Sequence, residues 1–224
     1  MTTTSSEWSF HDPSSTSSYT ITPTAPYTIR ITSGARTDWW TTAPLSSPES
    51  SAHRTSGPVV YRTLHLAPSA DWKLSGTVQQ SGTERFQQST LFIRRCASGK
   101  HVGDVEAQAW LKAGIENEGG RKYVGVVASA PYSDWNVSPL PAASASVRIE
   151  IEKRGPDVHV YYTLAASTER LLLREKKGFA VPLSDADEQW WLGAMVCGPL
   201  SERTQGVVDD WTFERLPADD AGSH

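Results

Sequence analysis

A lysine, two carboxylates and several tryptophans occur at spacings that suit a small-molecule site. From Trp110 to Glu116 the residues alternate, with Leu111, Ala113 and Ile115 forming an apolar row. The other row then carries Trp110, Lys112, Gly114 and Glu116. Successive residues on one face of a strand are about 7 Å apart, within reach of one ligand. Lys112 could hold a substrate anion and Glu116 could move a proton. Gly114 would let a group approach the backbone. A solvated face with a Lys–Glu pair is the alternative interpretation.

Two further clusters place a short carboxylate beside an indole ring. They are Asp38 with Trp40, and Asp134 with Ser133 and Trp135. Carboxylates bond ring hydroxyls while an indole stacks on the C–H face, so this pairing suits a hydroxylated ring. An Asx-turn followed by a packing tryptophan is the alternative for each cluster.

Two histidines are further ligand-binding candidates because each lies in a strand pattern opposite the apolar row. They are His65 and His159. A strand histidine is more often a surface or structural residue, and both interpretations stay open.

Alternation of apolar and polar residues dominates the chain and predicts the elements that position these groups. It occurs in VRIEIEK, YTIRIT, STLFIRR and DVHVYYT, with turn signals such as Gly-Gly and Arg-Gly-Pro between the runs. Many short strands with hairpin signals predict an all-β fold, an antiparallel two-sheet jelly-roll sandwich. The Ser/Pro-rich run 44–58 is predicted to be a surface loop.

The length of 224 residues and the composition predict one domain, spanning 7–217, with polar tails at 1–6 and 218–224. The net charge of −4, with scattered Lys and Arg, argues against nucleic acid as a partner. The polar start and the lack of a long apolar run predict a cytoplasmic protein without membrane contact. Cys96 and Cys197 are then expected to be reduced. We expect the protein to be either a monomer or a homodimer.

The segments TDWW, QQSTLF, WLKAGIE, SDWN and GAMVCGP follow one another between Trp8 and Leu216. In this order they closely resemble a concanavalin A-like family of unknown function whose fungal members include the regulation-of-enolase protein. The resemblance implies a jelly roll of the lectin and glucanase type with a concave sheet and no established reaction. The polar set that it implies consists of Asp38, Trp40, Gln88, Lys112, Glu116, Ser133, Asp134 and Trp135. One departure is that Gln87-Gln88-Ser89-Thr90 stands where the family commonly has Asp-Gln-Ala-Gly, which removes a carboxylate.

The sequence does not contain the motifs of several classes of enzyme. The Glu-x-Asp-x-x-Glu run of laminarinase-type glycoside hydrolases does not occur, so hydrolysis by paired carboxylates is not expected. Gly-x-Ser-x-Gly, His-Glu-x-x-His, Cys-x-x-Cys and phosphate-loop motifs are also missing. We therefore expect neither a metal nor a cofactor.

Three functions remain open from the sequence. The first is an acid-base enzyme, an isomerase, cyclase or lyase, in which Lys112, Glu116, Asp38 and Asp134 are the candidate catalytic residues. Its ligand would be a small hydroxylated or aromatic metabolite between tryptophan walls. The second is a lectin-like module that binds carbohydrate without turnover, and the third is a regulatory domain that binds another protein.

Overall fold

The computed structural model describes residues 7–43, 52–96, 108–142, 144–182 and 186–217. Both predicted tails, and residues 44–51 of the predicted loop, lie outside these ranges. The described residues form sixteen strands: β1 (Ser9–His11), β2 (Ser18–Ile21), β3 (Tyr27–Ser33), β4 (Trp39–Thr41), β5 (His53–Thr55), β6 (Val59–Leu66), β7 (Trp72–Gln80), β8 (Gln88–Cys96), β9 (Gln108–Glu118), β10 (Arg121–Ser129), β11 (Ser133–Pro139), β12 (Ser146–Arg154), β13 (Asp157–Leu164), β14 (Leu171–Lys176), β15 (Glu188–Cys197) and β16 (Thr204–Arg215).

The strands form two large antiparallel sheets, as the alternation predicts. The first sheet has the order β1-β6-β15-β8-β9-β10-β11, and the second has the order β14-β13-β12-β7-β16-β3-β2. A third, small sheet pairs β4 with β5. The all-β sandwich prediction is confirmed. The loop prediction for 44–58 is wrong at 53–55, because β5 pairs there with β4. The described ranges contain no helix long and apolar enough to cross a membrane.

The main core lies between the two large sheets and is built from the apolar rows of their strands. In β9 these are Leu111, Ala113 and Ile115, all fully buried. In β12 they are Val147 and Ile149. Since side chains alternate across a strand, the other row of β9 must point away from this core. We call this side of the first sheet the pocket face, and Lys112 and Glu116 belong to it.

The small sheet covers part of the pocket face, and a second apolar cluster holds it there. Trp39 of β4 is fully buried, and its ring centroid lies 4.8 Å from that of Phe92 and 5.7 Å from that of Trp110. Its indole Nε1 donates a hydrogen bond of 2.8 Å to the carbonyl of Gly57. Burying a tryptophan contributes a large share of the energy that fixes such a segment. The chain around residue 38 is thereby positioned over β9.

Gly114 of β9 is required by packing within the sheet and not by a ligand. A Cβ at this position would lie 2.1 Å from the carbonyl oxygen of Ser89 on β8. We expect Gly114→Ala to lower the free energy of unfolding by about 1–3 kcal/mol, because the backbone must move. Gly125 is the matched control because it pairs directly with Gly114, and a Cβ there would make only ordinary contacts, the nearest being Val137 Cγ1 at 3.4 Å and Glu116 Oε2 at 3.5 Å. Urea unfolding tests this, and equal losses for the two variants would contradict it.

Candidate functional site

A pocket of about 300 Å³ lies on the pocket face beside the small sheet. Its volume is at the lower end of the range for small-molecule sites, which is about 300–1,000 Å³. The small sheet, β8, β9, β10, β11 and two loops contribute its walls. The lining residues are Asp38, Trp40, Arg54, Phe86, Gln88, Lys112, Glu116, Val127, Trp135, Pro199 and Leu200. Charged groups and aromatic rings therefore share one enclosed space.

A buried ion pair joins Lys112 to Asp38. The Lys112 Nζ lies 3.2 Å from Asp38 Oδ1, and the two side chains are only 2% and 8% exposed. The same carboxylate oxygen accepts a hydrogen bond of 2.8 Å from the backbone N–H of Trp39, so the packing of Trp39 also fixes Asp38. The other oxygen, Oδ2, lies 3.5 Å from Nη1 of Arg54 on β5. Asp38 thus lies between two cations.

Glu116 occupies the same row as Lys112, four residues further along β9, and accepts hydrogen bonds from two neutral donors. Gln88 Nε2 donates to its Oε1 at 3.0 Å, and Trp135 Nε1 donates to its Oε2 at 3.0 Å. These bonds leave further lone pairs of the carboxyl group for a ligand or a proton. Trp135 therefore has two roles, since it orients Glu116 and forms part of the pocket wall.

Burial raises the pKa of Glu116, and neighbouring charges raise the pKa of Lys112. Loss of solvation raises the pKa of Glu116 to about 7, against the opposing effects of Lys112 and the Trp135 hydrogen bond. For Lys112, burial alone would lower the pKa, but the attraction of Asp38 and Glu116 outweighs it and the pKa is raised. At neutral pH the site therefore holds a charged lysine next to a carboxyl group that readily gains and loses a proton.

The raised pKa of Glu116 predicts how stability changes with pH. A carboxyl group whose pKa rises from 4.5 to about 7 on folding holds its proton more tightly in the folded state. Stability is then greatest below the unfolded pKa and falls as pH rises toward 7. Between pH 5 and 8 we expect wild type to lose about 2.5 kcal/mol relative to Glu116→Gln, which has no such group. Urea unfolding at both pH values measures this.

Glu118→Gln is the control for that comparison. Glu118 lies on the same strand but is paired with Arg85 outside the pocket, and its charge is a minor cause of the raised pKa of Glu116, so this variant should stay close to wild type. Parallel pH dependence of wild type and Glu116→Gln would contradict the assignment of a near-neutral pKa to Glu116.

Two loops, which carry Phe86 and Leu200, complete the pocket wall and are joined by a hydrogen bond. Phe86 adopts a left-handed backbone conformation, with φ 64°, which is uncommon for a bulky side chain. Its backbone N–H donates to the carbonyl of Asn117 at 2.7 Å. Gln87 Nε2 donates to the carbonyl of Arg203 at 3.3 Å and so links this loop to the one that carries Leu200. Strain of this kind persists where the surroundings enforce it, and it is concentrated at ligand sites.

The pocket brings together six of the residues expected from the sequence, and two more lie just outside it. The six are Asp38, Trp40, Gln88, Lys112, Glu116 and Trp135. Trp110 is on the same face but is fully buried against Trp39 and does not line the pocket. Ser133 supports the small sheet instead, since its hydroxyl accepts a hydrogen bond of 2.9 Å from the backbone N–H of Thr41.

Three other candidates lie elsewhere in the fold. Asp134 neighbours Ser133 and Trp135 on β11 and points the other way, because side chains alternate, and it pairs with Arg174 of β14. His65 is exposed on β6, which is three strands from β9. His159 lies in the second sheet, 3.0 Å from Glu175. The structure does not place these three side chains in the pocket.

Five lining residues had no signal in the sequence. They are Arg54, Phe86, Val127, Pro199 and Leu200. Arg54 belongs to the run that was predicted to be a surface loop. Pro199 is the last residue of the GAMVCGP segment, which contributed only to the family resemblance. A loop residue is identified as part of a wall only when the path of the loop is known.

Comparisons with known proteins agree with this architecture. Residues 6–216 match the profile of a family described as a protein of unknown function, DUF1349. No curated protein matches the chain. The chain is similar to a functionally unknown protein from Saccharomyces cerevisiae, with a TM-score of 0.69, 17% identity, and coverage of 95% of this chain and 98% of that one.

Two seed lectins have the same fold. The lectin I-B4 from Griffonia simplicifolia gives a TM-score of 0.55 at 10% identity, with coverage of 96% of this chain and 95% of the lectin. The Lotus tetragonolobus seed lectin gives 0.56 at 9% identity, with coverage of 95% and 94%. At such identities the likeness shows the fold alone. The prediction of a concanavalin A-like sandwich is confirmed.

Proposed function

Since the chain belongs to the DUF1349 family, whose function is unknown, we propose its function from the pocket itself: an acid-base enzyme in which Glu116 moves a proton. The observation that carries the proposal is a buried carboxyl group with a pKa of about 7 that lines the same aromatic pocket as a buried ammonium group. General acid-base catalysis is most efficient when the pKa of the group lies near the working pH. An isomerase, cyclase or lyase acting on a small hydroxylated or aromatic metabolite fits this arrangement.

The proposed chemistry divides the work between the two groups on β9. Ionised Glu116 takes a proton from a C–H or O–H group of the substrate, and the electron pair of that bond stays on the substrate. Lys112 stabilises the negative charge that develops there, because a preorganised cation in a water-poor site is far more effective than one in water. Protonated Glu116 then returns its proton at another position or to a leaving group. Asp38 has an indirect role, since it keeps Lys112 charged and in place.

Carbohydrate binding without turnover is the second candidate. Trp40 and Trp135 line the pocket beside hydrogen-bonding groups, the combination that suits a sugar ring. The likeness to seed lectins is compatible with this function. In that case Glu116 would accept a hydroxyl hydrogen bond and would transfer no proton.

Proton exchange separates the two candidates. Wild type and Glu116→Gln would each be incubated in deuterated water with panels of sugars, hydroxy acids and phenolic metabolites, and examined by NMR. We expect wild type to incorporate deuterium into, or convert, at least one compound, and Glu116→Gln to leave that compound unchanged. Sugar binding by wild type with neither exchange nor conversion would overturn the enzyme proposal and favour the lectin-like one.

A further inference from the structure

The charges that line the pocket balance only when Glu116 is ionised. Of the described lining residues, four are ionisable: Asp38, Arg54, Lys112 and Glu116. Asp38 faces both cations, with Lys112 on Oδ1 and Arg54 on Oδ2. The charges of Asp38, Lys112 and Arg54 sum to +1. Protonation of Glu116 therefore produces a pocket with a net charge of +1.

Both cations retain donors that their contacts with Asp38 do not use. An ammonium group has three N–H donors, and a guanidinium group has five in a planar fork. The contact of Arg54 with Asp38 is long, at 3.5 Å, and 55% of its side chain is exposed, so the guanidinium can turn toward a ligand. Lys112 lines the pocket although it is 98% buried, and the oxygens of Glu116 accept from Gln88 and Trp135. A second anionic group can thus be accommodated between Lys112 and Arg54.

We propose that the pocket takes a ligand with a single negative charge, a carboxylate on a hydroxylated or aromatic body. The carboxylate is bound by Arg54 and by the positive field of Lys112, because the guanidinium fork matches a carboxylate in two parallel hydrogen bonds. The body lies against Trp40 and Trp135 within about 300 Å³. This names the substrate class of the proposed enzyme, and it rests on that function only for the catalytic role of Glu116.

Binding of such an anion should be coupled to proton uptake by Glu116. A nearby negative charge disfavours ionisation of a carboxyl group, so the ligand raises the pKa of Glu116 and binds best when Glu116 is protonated. The ionised form that takes a proton from the substrate is then the minority form of the complex at pH 7. The ionisable groups around Glu116 are Lys112 and Glu118 on its own strand, Tyr123 opposite it on β10, Asp38 and Arg54 from the small sheet, Cys197 on β15 and Arg85 in the loop before β8. None of them has an ordinary pKa near 7, so Glu116 dominates the pH dependence in this range.

Matched pairs of charged and neutral probes test the proposal through quenching of tryptophan fluorescence. The pairs are 4-hydroxybenzoate with 4-hydroxybenzamide, and D-glucuronate with D-glucose. Carboxylates of this kind remain ionised from pH 6 to 8. At pH 6 we expect at least one carboxylate to bind wild type about tenfold more tightly than its neutral partner. Its affinity should fall by up to about tenfold between pH 6 and pH 8 as Glu116 ionises.

Three variants assign that result to residues. Glu116→Gln mimics the protonated side chain, so it should bind the carboxylate equally well at pH 6 and pH 8. Arg54→Gln should remove most of the preference for the carboxylate. Arg36→Gln is its matched control, since Arg36 forms an exposed ion pair with Glu202 outside the pocket.

Equal or tighter binding of the neutral partners, pH-independent binding of the carboxylate by wild type, or no binding of either carboxylate at pH 6 would overturn the proposal. These outcomes are distinct from failure of the enzyme proposal. If carboxylates bind as expected but wild type exchanges no proton, the anion site remains and the catalytic role fails. If wild type converts a neutral compound, the catalytic role remains and the anion site fails.

Discussion

Replacing Glu116 with Gln is expected to lower turnover by about 10²–10⁴-fold, the usual contribution of a general acid or base. Gln has nearly the same size and can still exchange hydrogen bonds with Gln88 and Trp135, but it cannot take up or release the proton. Ligand affinity should change little, so the loss should appear in kcat and not in KM. Steady-state kinetics on the compound identified by deuterium exchange measures both constants.

Glu118→Gln is again the matched control and should retain wild-type turnover. It removes a carboxylate from the same strand but outside the pocket, where Glu118 pairs with Arg85. If Glu116→Gln instead retained kcat and raised only KM, Glu116 would contribute to binding alone, and the enzyme proposal would fail.

Replacing Lys112 with Met is expected to lower the free energy of unfolding by about 3 kcal/mol, because it leaves Asp38 ionised and buried beside an apolar side chain. The two side chains are 2% and 8% exposed, so little solvent screens them. The loss should lie at the low end for a broken buried pair, since Arg54 and the backbone N–H of Trp39 still contact Asp38. Urea unfolding at pH 7 measures the change.

The double variant Lys112→Met with Asp38→Asn tests the cause of this loss. Removing both charges removes the unpaired carboxylate, so the double variant should be more stable than Lys112→Met alone. Lys73→Met is a matched control, because Lys73 pairs with Glu214, whose side chain is 52% exposed. This variant should lower the free energy of unfolding by less than about 1 kcal/mol. Additive losses in the double variant would show that Asp38 and Lys112 are not coupled.

The strand that carries the site could be predicted from the sequence because its two faces differ so clearly. The apolar row of Leu111, Ala113 and Ile115 lies in the core, and Lys112 and Glu116 lie together on the other face. Alternation could not show that Trp110, in the same row, would be covered by Trp39. That contact depends on where the small sheet lies.

In Ser133-Asp134-Trp135, the same alternation places the side chain of Asp134 on the face of β11 opposite to those of Ser133 and Trp135. Trp135 enters the pocket and bonds Glu116, whereas Asp134 pairs with Arg174 of the other sheet. His65 and His159 each lie opposite the apolar row of their own strand, as predicted, but those strands are distant from β9. The order of strands in a sheet cannot be derived from a periodic pattern. Arg54, Phe86 and Leu200 come from loops and a short strand whose paths the sequence does not specify.

The near-neutral pKa of Glu116 is tested most directly by a pH titration of its carboxyl group. In protein labelled with ¹³C at the glutamate side-chain carboxyl, the signal of Glu116 is identified by its loss in Glu116→Gln. We expect a midpoint near pH 7, well above the ordinary value of 4.5, because burial outweighs the attraction of Lys112. A midpoint between about 4 and 5 would show a group that is fully ionised at neutral pH. That result would contradict both the acid-base role and the proton-coupled binding of an anion.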